Sequence, residues 1–309
     1  MNNINPYILL VISMAACLGC TIIRKYYSDK FSGKALSRYF YNAVTALVSA
    51  IALTIMAICF YGVSSILSVS LFTLILAVAF GIITAVQQIM VLKAFENGPF
   101  AYTTVITSLS MLIPTLSGVL IFRDETIKPL QYVGIALMVV CLILSVKTTG
   151  DKSERKASFK WLSLCAVAFV CTGLIGVMQK WHQSSDSKGE LNAFLIIAFI
   201  IAFVYSAIMS LILLKKEPEC EQTGKKALPF LALIPIVLTI VAGACVAVNN
   251  MFNLYLTGVL PAAEFFPLVN GGGLILATLS GLVLFREKLS LRQWIGIGFG
   301  IVAVFMLCI

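Results

Sequence analysis

Apolar runs of roughly 20 residues, the length at which a helix spans a bilayer, recur from one end of this 309-residue chain to the other. Ten spans can be drawn, at about residues 6–23, 40–61, 71–95, 99–122, 129–147, 160–180, 191–214, 229–257, 261–285 and 291–309. Only 11% of residues are charged and 60% are hydrophobic. A water-facing globule carries about a quarter charged residues, so this chain would lack a polar surface. The expectation is an all-α integral membrane protein, multi-pass in the cell membrane, with no soluble domain between spans. The start, Met-Asn-Asn-Ile-Asn-Pro, has no basic stretch, and the first run ends in Arg24-Lys25. It reads as a retained helix rather than a signal peptide.

The runs are not independent. Thr115-Leu-Ser-Gly-Val-Leu-Ile-Phe-Arg123 returns as Thr278-Leu-Ser-Gly-Leu-Val-Leu-Phe-Arg286, with Asp124 falling on Glu287. One register away, Gly81 falls on Gly243, Gln87-Gln88 on Asn249-Asn250 and Pro99 on Pro261. Shared apolar composition would place Leu on Leu, but not Gly, Arg, Pro and an amide pair in order. The chain reads as a duplication: a first five-helix repeat over 1–147, a polar connector over 148–159 and a second repeat over 160–309. A unit of five spans is odd, so the second copy enters the membrane upside down. Ten transmembrane helices in two inverted five-helix repeats are therefore expected, the plan of many secondary transporters.

The net charge of +9 follows from topology rather than from nucleic-acid binding. Lys and Arg cluster in the odd-numbered connectors, among them Lys30, Lys34 and Arg38, then Lys152 and Lys156, then Lys215 and Lys225. By the positive-inside rule those connectors are cytoplasmic.

Two such repeats, each closing on a small-residue helix, Phe-Arg-(Asp/Glu) and a Gly-bearing last helix, resemble the drug/metabolite transporter superfamily, in its ten-helix EamA-type members. The residues that carry the resemblance are Pro114–Glu125 with Gly134, and Thr278–Lys288 with Gly296, Gly298 and Gly300. It implies a transporter of a small organic solute and does not name the solute. The acidic residue early in the first helix of the small multidrug relatives is missing, since Ser13-Met-Ala-Ala-Cys17 stands there. Their proton-coupled mechanism does not carry over.

Enzymatic chemistry lacks its parts. The aspartates Asp29, Asp124, Asp151 and Asp186 and the single histidine, His182, are expected in connectors. Cys17 and Cys20 form a lone C-x-x-C inside a span, without the second pair that a metal site needs. No metal, cofactor or catalytic residue is expected.

Amides are the richer signal. Gln87 and Gln88 fall mid-span in the third run, and Asn249, Asn250 and Asn253 share one face of the eighth. The pseudo-two-fold would bring these clusters together near the midplane, where inverted-repeat transporters bind solute. The competing reading is interhelical glue, since Asn and Gln also bond across packed membrane helices. Asn270, ahead of Gly271-Gly272-Gly273, reads as a cavity ligand or gate, with the glycines serving close packing or a loosened backbone. Tyr102 and Thr107 are further candidates to line the cavity. Glu264, in the first turn after Pro261, reads as a helix-dipole cap or as a proton- or cation-coupling group. Lys93 and Glu96 read as an interfacial pair, and Gln179-Lys180-Trp181 as an interface anchor. No buried cation is expected, so the lining suits a neutral, zwitterionic or amphipathic solute. The expected partners are that solute and the lipid bilayer, with the protein a monomer or homodimer. The alternative is a lipid-active protein, a flippase or a regulatory subunit, with a groove open to lipid.

Overall fold

A computed structural model describes residues 5–97, 100–121, 128–144, 159–216, 229–284 and 291–308. Most of the midpoint connector, and the Phe-Arg end of both nine-residue echoes, lie outside the described residues. The long helices fall on the expected spans, in the order α1 (Pro6–Phe31), α2 (Ala35–Tyr61), the short α3 (Ser64–Leu67) between spans, α4 (Leu71–Asn97), α5 (Phe100–Leu109), α6 (Leu112–Leu120), α7 (Pro129–Leu144), α8 (Phe159–Gln183), α9 (Leu191–Lys216), α10 (Leu233–Val259), α11 (Ala262–Leu284) and α12 (Leu291–Cys308). Six of them are long and apolar enough to cross a membrane: α1, α2, α4, α8, α9 with the turn before it, and α10. Side chains such as Ile51, Ile55, Ile75, Ile208 and Leu211 point outward and are exposed. An apolar outer surface of this extent needs lipid as its solvent.

Local chemistry sets the ends. Asn5 caps α1 by accepting from the Tyr7 amide at 2.9 Å, with Pro6 in the first turn where its missing N–H costs nothing. Gly62 closes α2 at φ 79°, and its amide returns to the Ile58 carbonyl. The fourth span is two helices rather than one. Pro114 has no N–H to offer the Ser110 carbonyl and its ring crowds that oxygen. The chain there tightens into i to i+3 bonds, with Ile113 donating to Ser110 and Met111 to Ser108.

The first span also runs further than expected. α1 continues through Arg24 to Phe31, so Asp29 lies on the helix and not in a connector. No breaker intervenes before Gly33, and Tyr27 is locked in place, its ring 4.4 Å from that of Tyr41 and its hydroxyl 2.9 Å from Ser37 Oγ. His182 likewise falls in the last turn of α8. It is fully buried, stacked on Phe194 and 3.3 Å from Thr73 Oγ1.

α1 packs along α10, α8 along α4, α2 against α9 and α7 against α12; α4 also meets α9, and α10 meets α2. Small residues set how closely these axes approach, as in membrane bundles generally. A Cβ on Gly81 would collide with the Ala198 carbonyl of α9, and one on Gly243 would sit 2.9 Å from the Thr45 carbonyl of α2. The largest apolar cluster is accordingly rich in alanine, with Ala46, Ala50, Ala77, Ala198 and Ala202 around Phe80 and Phe194. A second cluster, built on Leu9, Met111, Phe265 and Phe266, lies on the α1–α11 side. Gly81→Ala should therefore lower the stability of the detergent-purified protein by about 1–3 kcal/mol. Gly33→Ala, where a Cβ meets nothing within 4 Å, should stay within about 0.5 kcal/mol of wild type. Thermal unfolding of the two variants side by side checks this.

Candidate functional site

Between the two apolar clusters lies a cavity of about 200 Å³, bounded by α1, α4, α6, α8, α10 and α11. A second chamber of about 170 Å³ adjoins it along Cys17, Thr21 and Arg24 of α1. Helical spacing aims each wall. On α4 the stripe is Thr84, Gln87 and Gln88; on α8 it is Thr172, Gly176 and Gln179; on α1 it is Cys17, Thr21 and Arg24. These positions recur three or four residues apart and so share a face.

The structure brings together Gln87, Gln88, Asn249, Asn250, Asn253 and Asn270, all of which line the first chamber. They are engaged to different degrees. Asn249 donates to the Ser13 carbonyl and to Ser13 Oγ, both at 3.0 Å, and Ser13 Oγ donates to Asn253 Oδ1 at 2.6 Å. Asn253 Nδ2 lies 3.3 Å from Asn249 Oδ1, closing the network that ties α10 to α1. Asn250 and Asn270 each spend one amide hydrogen on their own helix, at Val246 and Phe266, and Gln87 donates to Thr172 Oγ1 at 3.2 Å. Gln88 is different. Its Oε1 is buried and has no hydrogen-bond partner, and the same holds for Thr84 Oγ1 on the α4 wall and Arg24 Nε on the α1 wall. Buried polar atoms are rarely left unmatched, and three around one space call for an explanation.

Other expected residues sit elsewhere. Thr107 lines the second chamber and donates to the Thr103 carbonyl of its own helix at 2.9 Å. The side chain of Tyr102 lies outside the described residues. Glu264 is buried but off the cavity; its Oε1 accepts from the Tyr7 hydroxyl at 2.8 Å, joining the starts of α1 and α11. α11 stays helical through Asn270–Gly273, so the backbone is not loosened there. Gly272 meets Met14 of α1, while Gly273 faces the second chamber. Glu96 pairs with Arg38 of α2 at 2.6 Å and also acts electrostatically on Lys93.

Two lining residues escape a reading of spans. Gln179, expected as an interface anchor, is buried and faces the cavity, while its neighbour Trp181 is exposed against Phe72. Arg24, expected at the end of the first span, also lines both chambers, so a cation does face this space. The signal was present as the one-sided stripe Cys17, Thr21, Arg24, which a hydropathy window truncates.

A family model described as "Sugar transport protein" matches residues 23–309. An uncharacterized protein of Haemophilus influenzae (strain ATCC 51907 / DSM 11121 / KW20 / Rd) is 27% identical over 236 residues, covering 74% of this chain and 73% of its own length. A solved structure described only as a crystal structure of a protein superposes with a TM-score of 0.70 at 14% identity, over 96% of this chain and 95% of its own. That likeness is one of fold.

The Ser13–Asn249–Asn253 network makes a prediction of its own. Ser13→Ala and Asn249→Ala should each lower stability, and their double-mutant cycle should give a coupling of roughly 0.6 kcal/mol, up to about 1.7 kcal/mol. Additive losses in thermal unfolding would mean that the bonds between α1 and α10 contribute nothing to holding the helices together.

Proposed function

Because this chain belongs to the sugar transport protein family, we propose that it carries a sugar or sugar-sized polyol across the membrane by alternating access, holding it in the amide-lined cavity. The protein is a transporter rather than an enzyme. The observation that carries the finer reading is the set of unmatched polar atoms around the first chamber, Gln88 Oε1 foremost. A sugar hydroxyl both donates and accepts, as amide side chains do, so a polyol satisfies such atoms without a change of charge. The volume of about 200 Å³ is below the roughly 300–1,000 Å³ of drug-sized pockets, which favours a monosaccharide over a drug-like solute. Phe265 and Phe266 supply an apolar wall for the C–H face of a ring.

In this reading Gln87, Gln88, Asn250 and Asn270 contact the solute, while Asn249 and Asn253 position the wall through Ser13. Thr107 and, on sequence grounds, Tyr102 serve the adjoining chamber. Glu264 is the proton- or cation-coupling group, acting from its hydrogen bond with Tyr7.

Alternating access follows from two inverted repeats, 1–147 and 160–309, of the plan seen in drug/metabolite transporters. Three matched pairs of contacts support the inversion. α1 lies along α10 as α8 lies along α4. Gly81 of α4 meets α9 as Gly243 of α10 meets α2. Trp161 at the start of α8 donates to Thr103 in α5 at 2.9 Å, as Tyr7 at the start of α1 donates to Glu264 in α11. The basic odd-numbered connectors face the cytoplasm of a cell in whose membrane the chain sits.

Uptake of radiolabelled hexoses and pentoses into proteoliposomes tests the reading. Gln88→Ala should weaken apparent affinity about tenfold, the worth of one hydrogen bond at the upper end of its range, with thermal stability retained. Glu264→Gln should flatten the pH dependence of the same uptake. Loss of folded protein in step with loss of uptake would reduce Gln88 to helix glue, and an unchanged pH profile would leave Glu264 a helix cap.

A further inference from the structure

Arg24 is the one cationic side chain among the described residues that line either chamber. Its Nη2 donates to Cys20 Sγ at 3.5 Å, and Tyr41 and Cys17 also lie near it. A thiol is a weak acceptor, and none of these neighbours is a carboxylate. No carboxylate among the described residues pairs with it. Glu96 is taken by Arg38 and Ser32, and Glu264 by Tyr7 at the far end of α1. Arg24 Nε is buried without a partner. Ionisable side chains within membrane helices are rare, and one that faces a cavity marks a function whose partner must be named.

We propose that the transported solute is an acidic sugar, bearing a carboxylate that Arg24 binds while the amides hold its hydroxyls. This rests on the transport reading above and names the solute class within it. One cation in the lining matches one negative charge; a phosphate ester carries about −1.5 to −2 at pH 7 and would leave charge unbalanced in the cavity. The planar fork of arginine fits a carboxylate with two parallel N–H···O bonds. From Cys17 to Arg24 is about 10 Å along α1 at 1.5 Å per residue, room for a six-carbon acid with its carboxylate at Arg24 and its hydroxyls toward Gln88, Asn250 and Gln179.

The test is titration calorimetry on the full-length protein in detergent, with D-glucuronate, D-galacturonate and D-gluconate, each against its uncharged amide or parent aldose, and with acetate alone. At least one acid should bind roughly ten- to a hundredfold more tightly than its uncharged counterpart, the usual worth of a charge-assisted hydrogen bond. Arg24→Gln should erase that preference, and Arg24→Lys, which keeps the charge but not the fork, should keep only part of it. The wild-type comparison stands even if a variant fails to fold. If neutral sugars bind as well as every acid, the proposal is wrong and the sugar transport reading survives. If acetate alone binds as tightly as the acids, the anion site is separate from the sugar site and the proposal is wrong. If no carbohydrate binds at all, both readings fall together.

Discussion

Every polar group held between these helices must find its partner inside the protein or in what the protein carries, because hydrocarbon offers none. Two sets of polar side chains in this bundle bear on the site, although buried atoms of Ser28, Arg38, Tyr41, Thr45 and Thr115 are also unmatched away from it. One set is closed. Ser13, Asn249 and Asn253 satisfy one another across α1 and α10, Ser49 donates to the Gly243 carbonyl at 2.8 Å, and Asn42 donates to the Ala85 carbonyl and to Ser206 Oγ. The other set is open: Gln88, Thr84 and Arg24 reach a common space with atoms unspent. Closed sets fix helix positions. The open set is where a solute can replace water with no loss of hydrogen bonds, and it is the basis for reading a transport site here.

Close approach makes the space possible. Gly176 of α8 stands where a Cβ would meet Phe266 and Pro114 at 2.9 Å, so α6, α8 and α11 converge on one point of the cavity wall. Pro114 also breaks the fourth span at Ser110 and Met111, both of which line the first chamber. A broken helix is tolerated at membrane depth where its released backbone faces a cavity or neighbouring protein. The same residue that interrupts the helix thus shapes the site.

Much of this was legible in the sequence. Hydropathy located the long helical stretches, and the echo of Gln87-Gln88 in Asn249-Asn250 singled out amides that line one cavity. What hydropathy could not see was where a helix continues past its apolar stretch. α1 runs on through Arg24 to Phe31 because local packing at Tyr27, not hydrophobicity, sustains it, and α8 carries Gln179 and His182 inside for the same reason. Pattern also could not divide the amides into glue and lining, since Asn249 and Asn250 are chain neighbours with different partners. That division depends on the rotation of α10 against α1, which is a property of the packed bundle. Pattern also could not see that Glu96, which still acts on Lys93 a turn away, finds its close partner on another helix, at Arg38.

The central claim is that the space beside Gln88 is a watered solute path rather than a packing defect. The most direct measurement is the rate at which Gln88→Cys, in a background with Cys17 and Cys20 replaced by alanine, reacts with a water-soluble, membrane-impermeant thiol reagent in proteoliposomes. The account predicts measurable labelling that slows when the transported sugar is added. A folded protein whose cysteine at this position stays inert, with sugar and without it, would contradict it.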